Sequence, residues 1–245
     1  MNYLKAMDIR CSRRRYVPLP LKERDAAVLR ERISEYNAAG GLHMELVVGN
    51  GDAFDGFKKS YGLFSGVKNY IIMAGKREDP DRHEKEGYYG EKLVLEATDM
   101  GLATCWIGSS YDRESCDLHL AEDEVMDLVI AIGYSEEKWS LKEKMMTGMM
   151  RRNGKSMAEI LRCELSETPD WFQNGMQAVM KAPTAKNLMP VAFDYKQDGS
   201  ALIYTTGESE RIMVDVGIVK LHFELGAGNG RWDMGNSARF VYGEV

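Results

Sequence analysis

Cysteine, histidine and proline are scarce in this chain of 245 residues, which carries four, four and six of them. The cysteines (Cys11, Cys105, Cys116 and Cys163) form no CxxC pair and no Cys/His spacing suited to zinc. That removes zinc modules and disulfide scaffolds, and leaves reduced thiols in a cytoplasmic protein as the expectation. The histidines His43, His83, His119 and His222 are scattered without ligand spacing, so no metal site is expected. His222 lies in an apolar stretch and reads as a satisfied core residue. Long apolar runs are missing, which excludes a membrane-spanning helix. Residues 1–15 have no apolar core or small-residue cleavage site, so no signal peptide is expected. An excess of positive charge is also missing. The net charge of −6 argues against a dedicated nucleic-acid binder, which needs a basic face to neutralise phosphates.

What is present suits a globular protein. Hydrophobic residues make up 44% and charged residues 29%, enough to bury one large core or two small ones. Sixteen methionines read as flexible core filler.

Periodicity predicts helices over residues 21–39, 91–100, 170–181 and 211–225, with a short one possible over 1–9 and a turn or two over 156–162. The helix at 170 is expected to be capped by Thr168 or Asp170. Strands are predicted over 44–48, 67–74, 103–107, 125–132, 191–196, 201–205 and 239–242, the sixth joined to the fifth by a turn at 197–200. Glycines 226–230 read as a helix stop and not as a dinucleotide loop, because they follow a helix instead of opening one. Residues 135–155, rich in Lys, Met and Gly, read as a lid or an exposed loop and helix. A new unit is expected after residue 164, giving halves at 1–163 and 164–245. Two helix, glycine break and tryptophan successions (90–106 and 215–233) suggest a diverged internal duplication, with chance likeness of amphipathic helices as the alternative.

Three segments carry chemistry. In an extended run Arg10-Cys11-Ser12-Arg13-Arg14-Arg15-Tyr16, alternate side chains share a face, so Arg10, Ser12 and Arg14 would offer two guanidinium forks and a hydroxyl to a phosphate monoester. The plain alternative is a solvated basic face. Residues 182–190 form a rigid loop between Pro183 and Pro190, with Thr184 and Asn187 at its tip; the alternative is an ordinary helix-stop turn. Residues 101–109 place glycines around an apolar segment, where backbone could approach a flat ligand; the alternative is a buried strand between turns.

Together the three segments resemble the nitroreductase family. Arg10, Ser12 and Arg14 are similar to its Arg-x-Ser-x-Arg phosphate motif, residues 183–190 to its Pro-Ser-x-x-Asn-x-Gln-Pro loop, and residues 101–108 to its Gly-Leu-Gly-Thr-x-Trp-Ile-Gly segment. Ile130 to Tyr134 is similar to the strand and glycine that follow. Met189 stands where the family has Gln, and Ala103 where it has Gly. The proline loop comes after the glycine segment instead of before it, so the chain looks like the family's homodimer fused into one polypeptide.

The resemblance implies an α+β fold of two interlocked halves, a monomer, and one competent FMN site per chain. Arg10, Ser12 and Arg14 would hold the phosphate, with Arg152 or Lys155 adding charge. Pro183, Thr184 and Asn187 would contact the ribityl chain and ring edge, and the backbone at Ile107, Gly108 and Ser109 would face the ring. It also implies ping-pong transfer of electrons from NADH or NADPH to a nitroaromatic, quinone or similar small acceptor, with the flavin and no protein base carrying the chemistry. The alternative is a flavin- or nucleotide-binding sensor or carrier without turnover.

Overall fold

A computed structural model describes residues 1–55, 62–116, 118–136, 138–207 and 209–243, apart from the side chains of Lys142 and Arg151. The chain divides into two compact units. The first comprises Met1–Arg82 and Lys92–Thr147, the second His83–Glu91 and Gly148–Val245. The fold is mixed α+β with two antiparallel sheets, as expected from the sequence.

In the first unit, helices α1 (Tyr3–Ile9) and α2 (Glu23–Gly40) precede strands β1 (Glu45–Val48) and β2 (Asn69–Lys76). Helix α3 (Arg82–Asp99), whose first turns at residues 83–91 belong to the second unit, leads to β3 (Ala103–Ile107) and β4 (Glu124–Gly133). The sheet order is β1-β2-β4-β3, every pair antiparallel. Strand β2 is central and buried on both faces, which its near-continuous apolar sequence reflects. Helix α2 buries Ala26, Leu29 and Ile33, the stripe its spacing predicts. Tyr70, Phe54, Ile72, Ile107 and Val129 anchor the core.

In the second unit, α6 (Asp170–Val179) precedes β5 (Val191–Tyr195) and β6 (Ala201–Thr205), and α7 (Ile212–Ala227) leads to β7 (Arg231–Trp232) and β8 (Arg239–Val241). The sheet order is β5-β6-β8-β7, again antiparallel throughout. Both units therefore run helix, two strands, helix, two strands, and both sheets order their strands first, second, fourth, third. Helix α7 is buried over most of its surface and ends at Gly228 in the left-handed region, as the run of glycines foretells. It meets the first turns of α3 at glycines. A Cβ on Gly87 would stand 2.0 Å from the Val214 carbonyl oxygen, and one on Gly217 2.0 Å from that of Glu84. An aromatic cluster of Trp171, Phe172, Phe193, Phe223, Trp232 and Phe240 fills the rest.

The structure corrects several local expectations. Helix α3 begins at Arg82 and not at residue 91. Its first turns bring Gly87 against α7, so a poor helix former sits there for packing reasons. Other expectations agree with the structure: the stretch at 135–155, of which residue 137 lies outside the described residues, contains the helix α4 (Leu141–Arg151), and the turn or two expected over 156–162 is the four-residue helix α5 (Met157–Ile160). The N-cap of α6 is Pro169 with no side-chain cap; the Thr168 hydroxyl donates to the Leu165 carbonyl at 2.7 Å instead. Strand β7 has two residues, too short for a pattern to reveal.

Candidate functional site

The arginine-rich segment of the first unit is extended and held by backbone on both sides. Ser12 bridges to Thr104 of β3 in parallel fashion, and Arg13 N donates to the Thr104 carbonyl at 3.0 Å. Ser65 N donates to the Arg14 carbonyl and Tyr16 N to the Ser65 carbonyl. The chain beyond Ser65 passes so close that a Cβ on Gly66 would lie 2.1 Å from the Tyr16 carbonyl oxygen, and Gly66 has φ +72°, so only glycine suits it.

Alternation then sorts the side chains. Arg13 points inward and is 6% exposed. Its Nε donates to Glu143 Oε1 at 3.1 Å, its Nη1 donates to Ser135 Oγ and the Glu136 carbonyl at 2.9 Å each, and its guanidinium covers the Trp139 ring. Arg10, Ser12 and Arg14 are only partly buried, and their side chains act on the buried Cys105 thiol. Burial raises the Cys105 pKa, against the opposing effect of Arg14, Arg10 and a hydrogen bond from Ser12. Arg14 makes no ion pair with a described residue, and it lines a hollow of about 60 Å3 together with Arg15, Ser65, Ser140 and Met146.

Glu143 closes this arrangement from α4. Its Oε1 accepts from Arg13 Nε, Arg14 N and Arg15 N, and its Oε2 accepts from Ser140 N and Ser140 Oγ. Burial pushes its pKa up, but hydrogen bonds from Ser140, Arg14 and Arg13 outweigh burial and bring it down to about 2. At the end of β3, Ile107 turns its side chain into the core, whereas Gly108 and Ser109 are exposed with nothing near a Cβ at Gly108.

The second unit gathers the other expected residues. Thr184 Oγ1 accepts from Met189 N at 3.0 Å, Lys155 Nζ donates to the Met189 carbonyl at 3.0 Å, and Asn187 Nδ2 donates to the Met150 carbonyl at 3.2 Å. Lys186, Asn187 and Met189 all have positive φ, a strained combination for residues other than glycine. Pro183 is half-buried beside them, and Arg152 is exposed. Asp215, on the first turn of α7, accepts from Ala185 N at 2.9 Å and so fixes the loop's middle. Burial raises its carboxyl to about 6, partly offset by that N–H.

A family model described as "Putative TM nitroreductase" matches residues 2–227. The chain belongs to this nitroreductase family. A solved structure described as a putative nitroreductase from Thermotoga maritima is 17% identical, with a TM-score of 0.65 over 100% of this chain and 95% of that one. A nitroreductase family protein from Clostridium difficile 630 is 15% identical over 67% of this chain and 99% of its own, with a TM-score of 0.48. A nitroreductase with bound FMN from Bacteroides fragilis is 19% identical over 58% and 93%, with a TM-score of 0.43. No curated protein matches the chain.

In this nitroreductase-family chain, the two departures from the family pattern are structurally plain. Met189 is buried and takes a left-handed backbone, and Ala103 opens β3 opposite Gly133. Two residues escaped the sequence reading. Glu143 left a readable trace, the Ser-x-x-Glu capping pattern at Ser140 and Glu143. Asp215 left none, since an acid in the first turn of a helix is commonplace. Among the described residues, no helix is long and apolar enough to cross a membrane.

Proposed function

We propose that this chain binds FMN through its phosphate at Arg10, Ser12 and Arg14, and passes electrons from NADH or NADPH to a nitroaromatic, quinone or similar small acceptor. The observation that carries this reading is the extended, backbone-pinned segment of Arg10, Ser12 and Arg14, with Arg14 lining a hollow and lacking an ion pair to any described residue. Two guanidinium forks and a hydroxyl on a backbone pinned from both sides suit a phosphate dianion in charge and in donor chemistry.

When bound, the flavin would supply reversible hydride chemistry. The chain's own residues would bind and orient it. Exposed backbone at Gly108 and Ser109 offers hydrogen-bonding groups near the end of β3. Pro183, Thr184 and Asn187, with Lys155 and Arg152, are proposed as further contacts on the strength of their resemblance to the family's loop. In support, the Thr184 hydroxyl hydrogen and Asn187 Oδ1 are not used by the loop's own bonds.

The proposal extends to two nitroreductase-like halves in one chain, a monomer with one competent site. The shared strand order of the two sheets supports the duplication. The segment between α5 and α6 supports a single site: residues 161–169 hold one arginine, Arg162, which stacks on Tyr204 at 4.2 Å.

An absorption spectrum of the purified chain tests the reading. We expect flavin bands at one FMN per polypeptide, bleached by NADH or NADPH without air and restored by a quinone. A colourless chain that takes up no added FMN overturns the proposal. Yellow protein that neither donor bleaches retains the binding and removes the turnover.

A further inference from the structure

Glu143 sits where two local structures share one carboxylate. It is the N3 residue of α4, and with Ser140 it forms a reciprocal cap: Ser140 N donates to Glu143 Oε2 at 2.9 Å and Glu143 N to Ser140 Oγ at 3.2 Å. A cap needs only one carboxylate oxygen. Here the other oxygen receives the Arg13 guanidinium and two successive backbone N–H groups, those of Arg14 and Arg15. The side chain is 3% exposed.

We propose that Glu143 is the positioning residue of the phosphate grip, tying the first turn of α4 to the backbone of Arg13–Arg15 so that helix and arginine segment order together around a phosphate monoester. This rests on the reading of Arg10, Ser12 and Arg14 as that grip. The negative charge of Glu143 does not compete for Arg14, because Arg13 meets it at 3.1 Å in a buried pair. Its two bonds to N–H groups fix the peptide planes on either side of Arg14 Cα, and with them the direction in which the guanidinium leaves the backbone. The very low pKa of the carboxyl agrees: the ionised form is the one its partners hold. An exposed cap of the same type, Ser156 with Glu159 on α5, has no such second set of partners among the described residues and provides a matched control.

The test compares the affinities of FMN and riboflavin for the full chain, by quenching of flavin fluorescence, in wild type, Glu143→Gln and Glu159→Gln. Riboflavin lacks the phosphate, so the ratio of the two affinities reports on the grip alone. We expect Glu143→Gln to lose roughly tenfold or more of the FMN preference, the scale of one or two charge-assisted hydrogen bonds, with riboflavin binding little changed. Glu159→Gln should keep the ratio.

Hydrogen exchange on the wild-type chain provides a second measurement that needs no folded variant. Inorganic phosphate should protect the amides of residues 14–15 and 141–147 together. A Glu143→Gln protein that keeps the full FMN preference overturns the proposal, as does protection by phosphate at residues 14–15 without 141–147. A wild type that binds FMN and riboflavin equally overturns the underlying phosphate reading instead.

Discussion

The Lys220 ammonium is ion-paired with the Glu84 carboxylate inside the second unit, where each side chain is 1% exposed. Lys220 also donates to the carbonyls of Asp233 and Gly235, and Glu84 Oε2 accepts from Gly235 N at 2.7 Å. The pair thereby pins the loop that follows β7 to α7 and to the start of α3. His222, two residues along and fully buried, has its ring nitrogens facing the Ala178 carbonyl and Glu91.

Removing one member of the Lys220–Glu84 pair leaves the other charge buried alone, which costs about 3–5 kcal/mol. Lys220→Met and Glu84→Gln should each lower the unfolding midpoint sharply. The double variant should lose much less than the sum of the two. Denaturant melts of the three proteins check this, and strict additivity would count against the pair.

Asp215 makes stability depend on pH. Its carboxyl rises from an ordinary 3.8 to about 6 in the folded chain. Between those values the folded state binds more protons than the unfolded one, so the stability present near pH 4 is lost as pH climbs through 6. Asp215→Asn keeps an acceptor for Ala185 N without the charge. It should exceed wild type by roughly 3 kcal/mol above pH 6 and match it near pH 4. Urea unfolding at the two pH values measures the difference.

Arg14→Ala should weaken FMN binding by roughly 10- to 100-fold, from the loss of one or two charge-assisted hydrogen bonds. Arg15, half-exposed and facing Glu136 at 3.9 Å, is the comparison: Arg15→Ala should change the affinity little. Titration with fluorescence readout separates the two, and equal losses would argue that the segment acts only through net charge.

Much of the fold was legible because local and tertiary demands agree. The stripe on α2, the doubly buried β2 and the glycine stop of α7 each follow from sequence patterns that packing then uses. Two of the failures share one cause, a partner far away in sequence. The start of α3 hides behind Gly87, whose missing side chain serves a crossing with α7 that no local pattern announces. In the candidate site, alternation around Ser12 sets Arg13 apart from Arg10 and Arg14, and Arg13 is the buried one of the three. It gave no hint that Arg13 has a buried partner 130 positions away, because ion pairs of that range leave no periodicity to read.

The crossing of α7 and α3 also limits how this protein can be engineered. Exchanging an interior helical glycine for alanine ordinarily gains about 1 kcal/mol in helix propensity. At positions 87 and 217 the added methyl would press into a carbonyl oxygen of the opposing helix. A thermostabilisation programme guided by propensity alone would select both sites first, and at both it would drive the helices apart.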